Sequence, residues 1–451
     1  MFRQLFSDMS HQSHRFAYRS ELVPLLRLAW PVVVAELGWM GMGITDTIMV
    51  GRLGAEAIGA VALANLVFYT IGLLIIGVLL GLDTLIAQAV GANDLPDAHH
   101  SFRQGFWLAL GAAPFLLAAM LLCLPALRFL GAEPEVFRLT QPFGRVLALS
   151  IFPLGAYTVL RRYLQARSWV RPVMFALVSA NLVNVGLNWL LIEGHAGFPA
   201  LGVEGCAWAT VGARLYLALF LLLALLGHEP ASSGLWRLEG PDFKRLRQLL
   251  TLGLPAAGHI FLEVSGFAAA TALAGTFPAV SLAAHEITLN HAALTYMVPL
   301  GISSAAAVQV GNAIGAGEPL RARAAGNAAI LVGASFMLLS AILLFAFPQI
   351  ILGFYTSNQA ILAEAIPIVF WAGAFQLFDG IQSVATGALR GRGDTQTPFL
   401  AGLAGYWVLS LPLGAFLCFR LGYGVPGLWI GLALGLATVA LILLHRWLRS
   451  G

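Results

Sequence analysis

The chain has 451 residues, 59% of them apolar or aromatic and only 10% charged, with a formal net charge of +4 and a mean hydropathy of +0.84. Soluble domains carry about 25% charged residues, so water-soluble enzymes and nucleic-acid-binding folds are excluded, and the small net charge identifies no partner. A bilayer span needs about 20–25 residues, so the apolar share predicts roughly twelve spans and one all-α polytopic membrane protein rather than a string of soluble domains.

In chain order, residues 1–20 form a polar, basic tail with Arg3, Arg15 and Arg19 and no apolar core, which reads as a cytoplasmic lead-in and not a secretory signal. Apolar stretches bounded by Gly, Pro or charge follow near 24–50, 57–84, 102–127, 140–160, 172–193, 205–227, 246–274, 280–310, 325–347, 361–388, 399–419 and 425–445. Arginines gather after the even-numbered spans: Arg161, Arg162, Arg167 and Arg171, then Arg237, Lys244, Arg245 and Arg247, then Arg321 and Arg323, then Arg390 and Arg392. The opposite loops hold only scattered cations such as Arg52, Arg128, Arg138 and Arg420, so the positive-inside rule predicts both termini in the cytoplasm. Lys244, the single lysine, lies in no glycine-rich loop, which excludes a Walker A phosphate cradle and with it ATP as fuel. Cys123, Cys206 and Cys418 are isolated in apolar runs and read as structurally buried thiols, not a redox pair or metal site.

The longest polar stretch between spans, GHEPASSGLWRLEGPD from Gly227 to Asp242, lies near the midpoint of the chain. It divides the sequence into a six-span lobe at 21–227, a cytoplasmic linker at 228–242 and a second six-span lobe at 243–451. The halves repeat: Pro31 matches Pro255, Thr47 matches Thr271, Gly77 matches Gly301, Ala89 matches Ala313, Gly91-Ala92 match Gly315-Ala316, Asp94 matches Glu318, and farther on Pro172 matches Pro398. Because each copy holds six spans, both enter the membrane from the same side, and the expected pseudo-symmetry axis runs along the membrane normal. Two facing six-helix lobes are the physical description of an alternating-access carrier; a duplication kept for packing alone is the alternative.

An acid inside the bilayer is costly and calls for an explanation. Glu36, Asp46, Asp83, Glu263, Glu286 and Asp379 all fall within spans. Asp83 reads as a helix-end residue in the interfacial zone and Glu36 as a partner for a neighbouring helix, a functional role being the alternative for each. Asp46, Glu263 and Asp379 differ from these, because the repeat supplies a control: their counterparts are Ala270, Trp39 and Pro153, so the shared architecture demands none of them. Glu263 and Asp379, on spans seven and ten of one half, are expected to share a proton or to hold Na+ with oxygen ligands, and sequence does not choose between the two. Asn184 and Asn188, four apart on one helix face, either complete a polar site with Asp46 or hydrogen-bond between helices. His285, Glu286 and His291 lack the spacing of a zinc protease motif, and the histidines read first as helix-packing or hydrogen-bonding partners, with tuning of Glu263 the alternative for His259, one turn before it. No GxSxG or catalytic triad is evident, so no enzyme is expected. Trp39, Phe68, Tyr69, Phe261, Phe267, Tyr296, Phe375 and Phe378 fall near these acids, where aromatic faces suit flat cations or serve as plain packing.

The segments ITDTIMVGRLG (44–54), QAVGANDLPDA (88–98), NLVNVGLNW (181–189), FLEVSGFAAATALAG (261–275), AAHEITLN (283–290) and QLFDGIQSVATGALRGRGDTQTP (376–398) together resemble the multidrug and toxic compound extrusion (MATE) family, most closely its NorM-type branch. That resemblance implies two six-helix lobes forming a V, in the inner membrane. It implies a monomeric antiporter that expels amphipathic, often cationic compounds in exchange for Na+ or H+, with no cofactor and no nucleic-acid partner. Glu263 and Asp379 match the cation-site acids of NorM-type members, and Asp46, with Asn184 and Asn188, matches the span-one aspartate linked in relatives to protonation or ion binding. RGRGDTQTP resembles the cytoplasmic turn after span ten, which makes Asp394 structural. One departure bears on ion identity: where some NorM-type members carry Tyr, this chain has Phe375 beside the site, and a hydroxyl is lost. A lipid-linked glycan flippase of the same wider superfamily is the alternative, and would require a basic cavity for pyrophosphate; a channel is disfavoured by the two-lobe repeat. Substrate range is not legible, because polyspecific pockets are built from ordinary apolar and aromatic residues.

Overall fold

The computed structural model describes residues 12–130 and 133–449, so the first part of the basic tail, including Arg3, lies outside the described residues. Among the described residues there is no strand. Twelve helices are long and apolar enough to cross a bilayer: Ser20–Gly51, Ala55–Gly91, Leu95–Phe129, Pro134–Ala166, Val170–Ile192, Val203–His228, Phe243–Ala274, Ala279–Gly315, Pro319–Ala346, Gln359–Arg392, Gln396–Arg420 and Gly424–Arg449. They are called spans one to twelve below, and each matches one of the expected apolar stretches, of which 172–193 and 325–347 run one residue past the helix. Several outrun those stretches: span eight has 37 residues, about 55 Å of helix against a hydrocarbon layer of about 30 Å. The surplus turns carry polar side chains that the sequence places in loops.

Arg161 and Arg162 are the clearest case. The positive-inside pattern assigns them to a loop, yet they lie inside span four and are buried. Arg161 pairs with Glu36 of span one, and Arg162 with Asp83 of span two at 3.4 Å. Asp83 is therefore a buried ion-pair partner and not an interfacial helix end. Two opposed charges brought together cost far less to bury than either alone, which lets the helix continue through a stretch that hydropathy terminates. Cys206 and Cys418 are buried thiols, whereas Cys123 is exposed, because its stretch of span three turns an apolar face outward, as the largely exposed Leu122 beside it shows.

The internal repeat reappears in backbone geometry. Span two ends with Asp94 N–H on the Ala89 carbonyl and span eight with Glu318 N–H on the Ala313 carbonyl, both at 2.9 Å. The residue before each, Asn93 (φ 57°) and Gly317 (φ 74°), is left-handed, as this helix-terminating motif requires. Spans four and ten end alike: Trp169 N–H meets Leu164 O at 2.8 Å and Asp394 N–H meets Leu389 O at 2.9 Å, after left-handed Ser168 (φ 62°) and Gly393 (φ 92°).

The described residues form two compact units, one of those up to Val33 together with those from Gly258 onward, the other of those in Val34–Ala257. The dividing points lie inside spans one and seven, beside the matched prolines Pro31 and Pro255, and not at the 228–242 linker. Residues 21–33 and 243–257 therefore pack with the opposite half of the sequence. A proline inside a helix removes one backbone hydrogen bond and permits a bend, which suits a helix that serves two units. In the unit containing Gly258–Gly451, spans eight and ten approach closely because Gly387 has no side chain to strike the Ser303 carbonyl, and Ser303 Oγ donates to Ser383 O at 2.7 Å.

The linker is strapped to span three. Arg103 donates to the Gly234 carbonyl at 2.7 Å and pairs with Glu239 at 2.7 Å; Gln104 bonds both Gly240 O (3.0 Å) and Asp242 N–H (2.8 Å). His100 faces Glu239 through Nδ1 at 2.9 Å and Asp242 through Nε2 at 3.0 Å. These contacts with His100 hold the Glu239 and Asp242 carboxyls below the usual carboxylate range. A depressed carboxyl stabilises the fold above its unfolded pKa and ceases to do so as pH falls through the lower, folded value. Amide exchange of residues 234–242, corrected for intrinsic rate, is expected to stay slow from neutral pH to about pH 4 and to accelerate only below it. Glu239→Gln should accelerate it already at pH 7; fast exchange in the unmutated chain at pH 7 contradicts the strap.

Candidate functional site

Span seven presents Glu263, span eight Tyr296, span ten Asp379 and Gln382, and span eleven Tyr406, all within one unit. Glu263 and Asp379 are both buried. Gln382, one turn after Asp379, donates from Nε2 to Glu263 Oε1 at 3.3 Å and to the Tyr406 hydroxyl at 2.8 Å. The Tyr296 and Tyr406 hydroxyls also interact with the Glu263 carboxylate, and Tyr296 with Ser383. Asp379 accepts no hydrogen bond from the described residues; its electrostatic neighbours are Glu263, a like charge, and the phenols of Tyr296 and Tyr406. Span eleven reaches this cluster through a π-helical stretch, Leu403–Ser410, whose extra residue per turn re-aims the side chains around Tyr406.

The donor set is two carboxylates, two phenols and an amide. Hard oxygens with surplus negative charge suit one proton or one Na+. Among the described residues no group of three or more His, Cys, Asp or Glu is placed to hold a metal ion.

His259, one turn before Glu263, makes no hydrogen bond to it. The ring faces span eleven, where the absent side chain of Gly402 leaves room for Nδ1, an atom that is buried without a partner, and the ring also bonds the Pro398 carbonyl. Phe375 is buried edge-on against Phe267 (5.7 Å between ring centroids) and Trp429 (5.8 Å), so it supports the site by packing. His285 accepts the Trp429 indole N–H at 3.1 Å on Nδ1, which leaves Nε2 to donate to Thr271 at 3.0 Å. Both ring nitrogens are thereby used in holding helices together.

The other unit contains a second site around Asp46 of span one. Asn184 and Asn188 donate to Oδ1 at 3.0 and 2.7 Å, and Thr210 of span six donates to Oδ2 at 2.9 Å. Asn188 also donates to Asn184 Oδ1 at 3.2 Å, while its own Oδ1 is buried without a partner. One turn after Thr210, the buried Arg214 stacks on Phe68 at 4.1 Å and on Trp39 at 5.7 Å, and donates to Ser150 Oγ. Asp46 thus accepts from three neutral donors, with a cation nearby that is engaged elsewhere.

The structure brings Glu263 together with Asp379, and Asp46 with both asparagines. Thr210, Arg214, Gln382 and Tyr406 are additions. Arg214 carried a usable signal, a lone cation midway along an apolar span; the others are neutral polar residues of a kind common in membrane helices.

Comparison with known proteins agrees with this architecture. The MatE family model matches residues 31–190 and again 255–416, once in each half of the repeat. A probable multidrug resistance protein NorM of Mesorhizobium japonicum is 36% identical over 445 residues, covering 96% of this chain and 94% of the relative. Multidrug resistance protein PmpM of Pseudomonas aeruginosa is 34% identical over 440 residues, covering 96% and 92%. The crystal structure of the eukaryotic MATE transporter AtDTX14 matches with a TM-score of 0.87 at 22% identity, over 96% of this chain and 97% of that one. An outward-facing multidrug resistance MATE transporter of the MOP superfamily matches with a TM-score of 0.86 at 21% identity, over 95% of each. Shared fold is what the two structures add, and shared sequence over nearly the full length is what the relatives add. On both grounds the chain belongs to the MatE family, as a twelve-helix membrane transporter and not an enzyme.

Proposed function

We propose that this transporter is a secondary active antiporter of the cytoplasmic membrane, exporting amphipathic, often cationic compounds by alternating access in exchange for Na+ or H+, with both termini in the cytoplasm. The observation that carries the reading is the pairing of Glu263 with Asp379, two buried carboxylates with too few donors between them. Such a pair attracts one cation strongly, and the arriving ion removes the negative charge that would otherwise hold a cationic drug. Coupling follows because both ligands bias one conformational equilibrium through the same charge. Phe267, packed between Phe375 and Tyr406, adds aromatic surface beside the acids, suited to flat cations. The multidrug-resistance names of the relatives support the substrate class. The flippase reading loses ground, because Arg161, Arg162 and Arg214 are engaged with Glu36, Asp83 and Ser150 and do not line a site for pyrophosphate.

In liposomes loaded with a fluorescent cationic dye, a Na+ gradient or a pH gradient imposed separately should drive dye movement, and flux indifferent to both would refute antiport. Asp379→Asn should reduce gradient-driven flux to background while the protein still inserts; normal flux from a well-expressed variant would remove Asp379 from the mechanism. Asp46→Asn keeps an oxygen for Asn184 and Asn188 but sets an amide N–H against the Thr210 hydroxyl, with an expected loss of about 1–3 kcal/mol of stability, read as a lowered Tm in detergent. An unchanged Tm would mean that the Thr210 hydrogen bond does not hold Asp46.

A further inference from the structure

We propose that Gln382 is a specificity-determining residue of the Glu263–Asp379 site, whose side-chain oxygen becomes a ligand of the coupling cation when the amide rotates. The proposal rests on the antiport reading above. Gln382 is 1% exposed, and both of its N–H groups are committed, one to Glu263 and one to Tyr406. Its Oε1 is buried and accepts nothing. A glutamine present only for packing would be expected to use its acceptor as well, because buried polar atoms in folded proteins are almost always paired.

The sign of the charge in front of the amide explains the unpaired oxygen. Facing an ionised Glu263, the amide turns its N–H groups forward. Once a cation sits between Glu263 and Asp379, those N–H groups oppose it. Rotating the last side-chain torsion by about 180° exchanges nitrogen and oxygen at nearly the same positions. Oε1 then faces the cation, and no helix has to move. The same rotation reverses the hydrogen bond to span eleven: Tyr406, now the acceptor from Gln382, becomes the donor to it and withdraws from Glu263. Ion occupancy is thereby passed from spans seven and ten to the π-helical stretch of span eleven.

The test uses the full-length protein in liposomes and reads the Na+ or H+ concentration that half-saturates dye efflux. Gln382→Leu removes the oxygen and should raise that concentration about tenfold. Gln382→Glu keeps an oxygen and adds negative charge, so it should half-saturate at or below the original concentration. A purely structural role would impair both variants alike. In the unmutated protein, ion addition should produce an infrared difference band from a side-chain amide carbonyl that is absent in Gln382→Leu. Wild-type half-saturation in Gln382→Leu, or equal impairment of the Leu and Glu variants, overturns the proposal. If Asp379→Asn uncouples transport while Gln382→Leu does not, only the role of Gln382 fails; if no gradient drives the unmutated protein, the antiport reading fails and this inference with it.

Discussion

A carboxylate inside a bilayer must be neutralised, hydrogen-bonded or joined by a cation, and an acid that has none of these costs about 2.5–3.5 kcal/mol even on the mildest insertion scale. Much of this molecule's polar architecture follows from how each acid meets that demand. Glu36 and Asp83 receive fixed arginines, Arg161 and Arg162. Asp46 receives three neutral donors from Asn184, Asn188 and Thr210. Glu263 receives a partial set, and Asp379 receives no hydrogen bond from the described residues. The first two solutions are met by groups of the protein itself. The third leaves a deficit that a mobile ion can fill, and the proposed transport chemistry rests there.

The backbone arrangement makes these solutions possible. Close helix approach at Gly387 and Ser303 brings span ten against span eight, so Asp379 shares an interior with Tyr296. Matched left-handed residues at Asn93 and Gly317 end the corresponding helices in the two halves in the same way. The functional asymmetry therefore lies in substitutions such as Glu263 opposite Trp39 and Asp379 opposite Pro153, laid on one repeated scaffold.

Span number and the repeat were legible in the sequence because both depend on many residues at once: long apolar runs for the first, aligned Pro, Gly and Thr positions for the second. The acids were legible because the repeat separated architectural positions from individual ones. Helix ends were not, since Arg161 reads as a loop cation until Glu36, distant in sequence, is seen beside it. The same holds for His259, which sequence proximity assigns to Glu263 and the structure turns toward Gly402. Gln382 and Tyr406 escaped notice because a neutral polar residue gains meaning only from what it faces.

The central claim is that one buried pair of carboxylates serves both ion and drug. Equilibrium binding of a cationic dye to the purified protein, titrated at several Na+ concentrations and pH values, tests it most directly. A shared site requires the dye's Kd to rise with occupancy by the coupling ion and the ion's Kd to rise with dye by the same factor, and requires this linkage to vanish in Glu263→Gln. Dye and ion that bind independently, or a linkage that survives Glu263→Gln intact, would contradict the account.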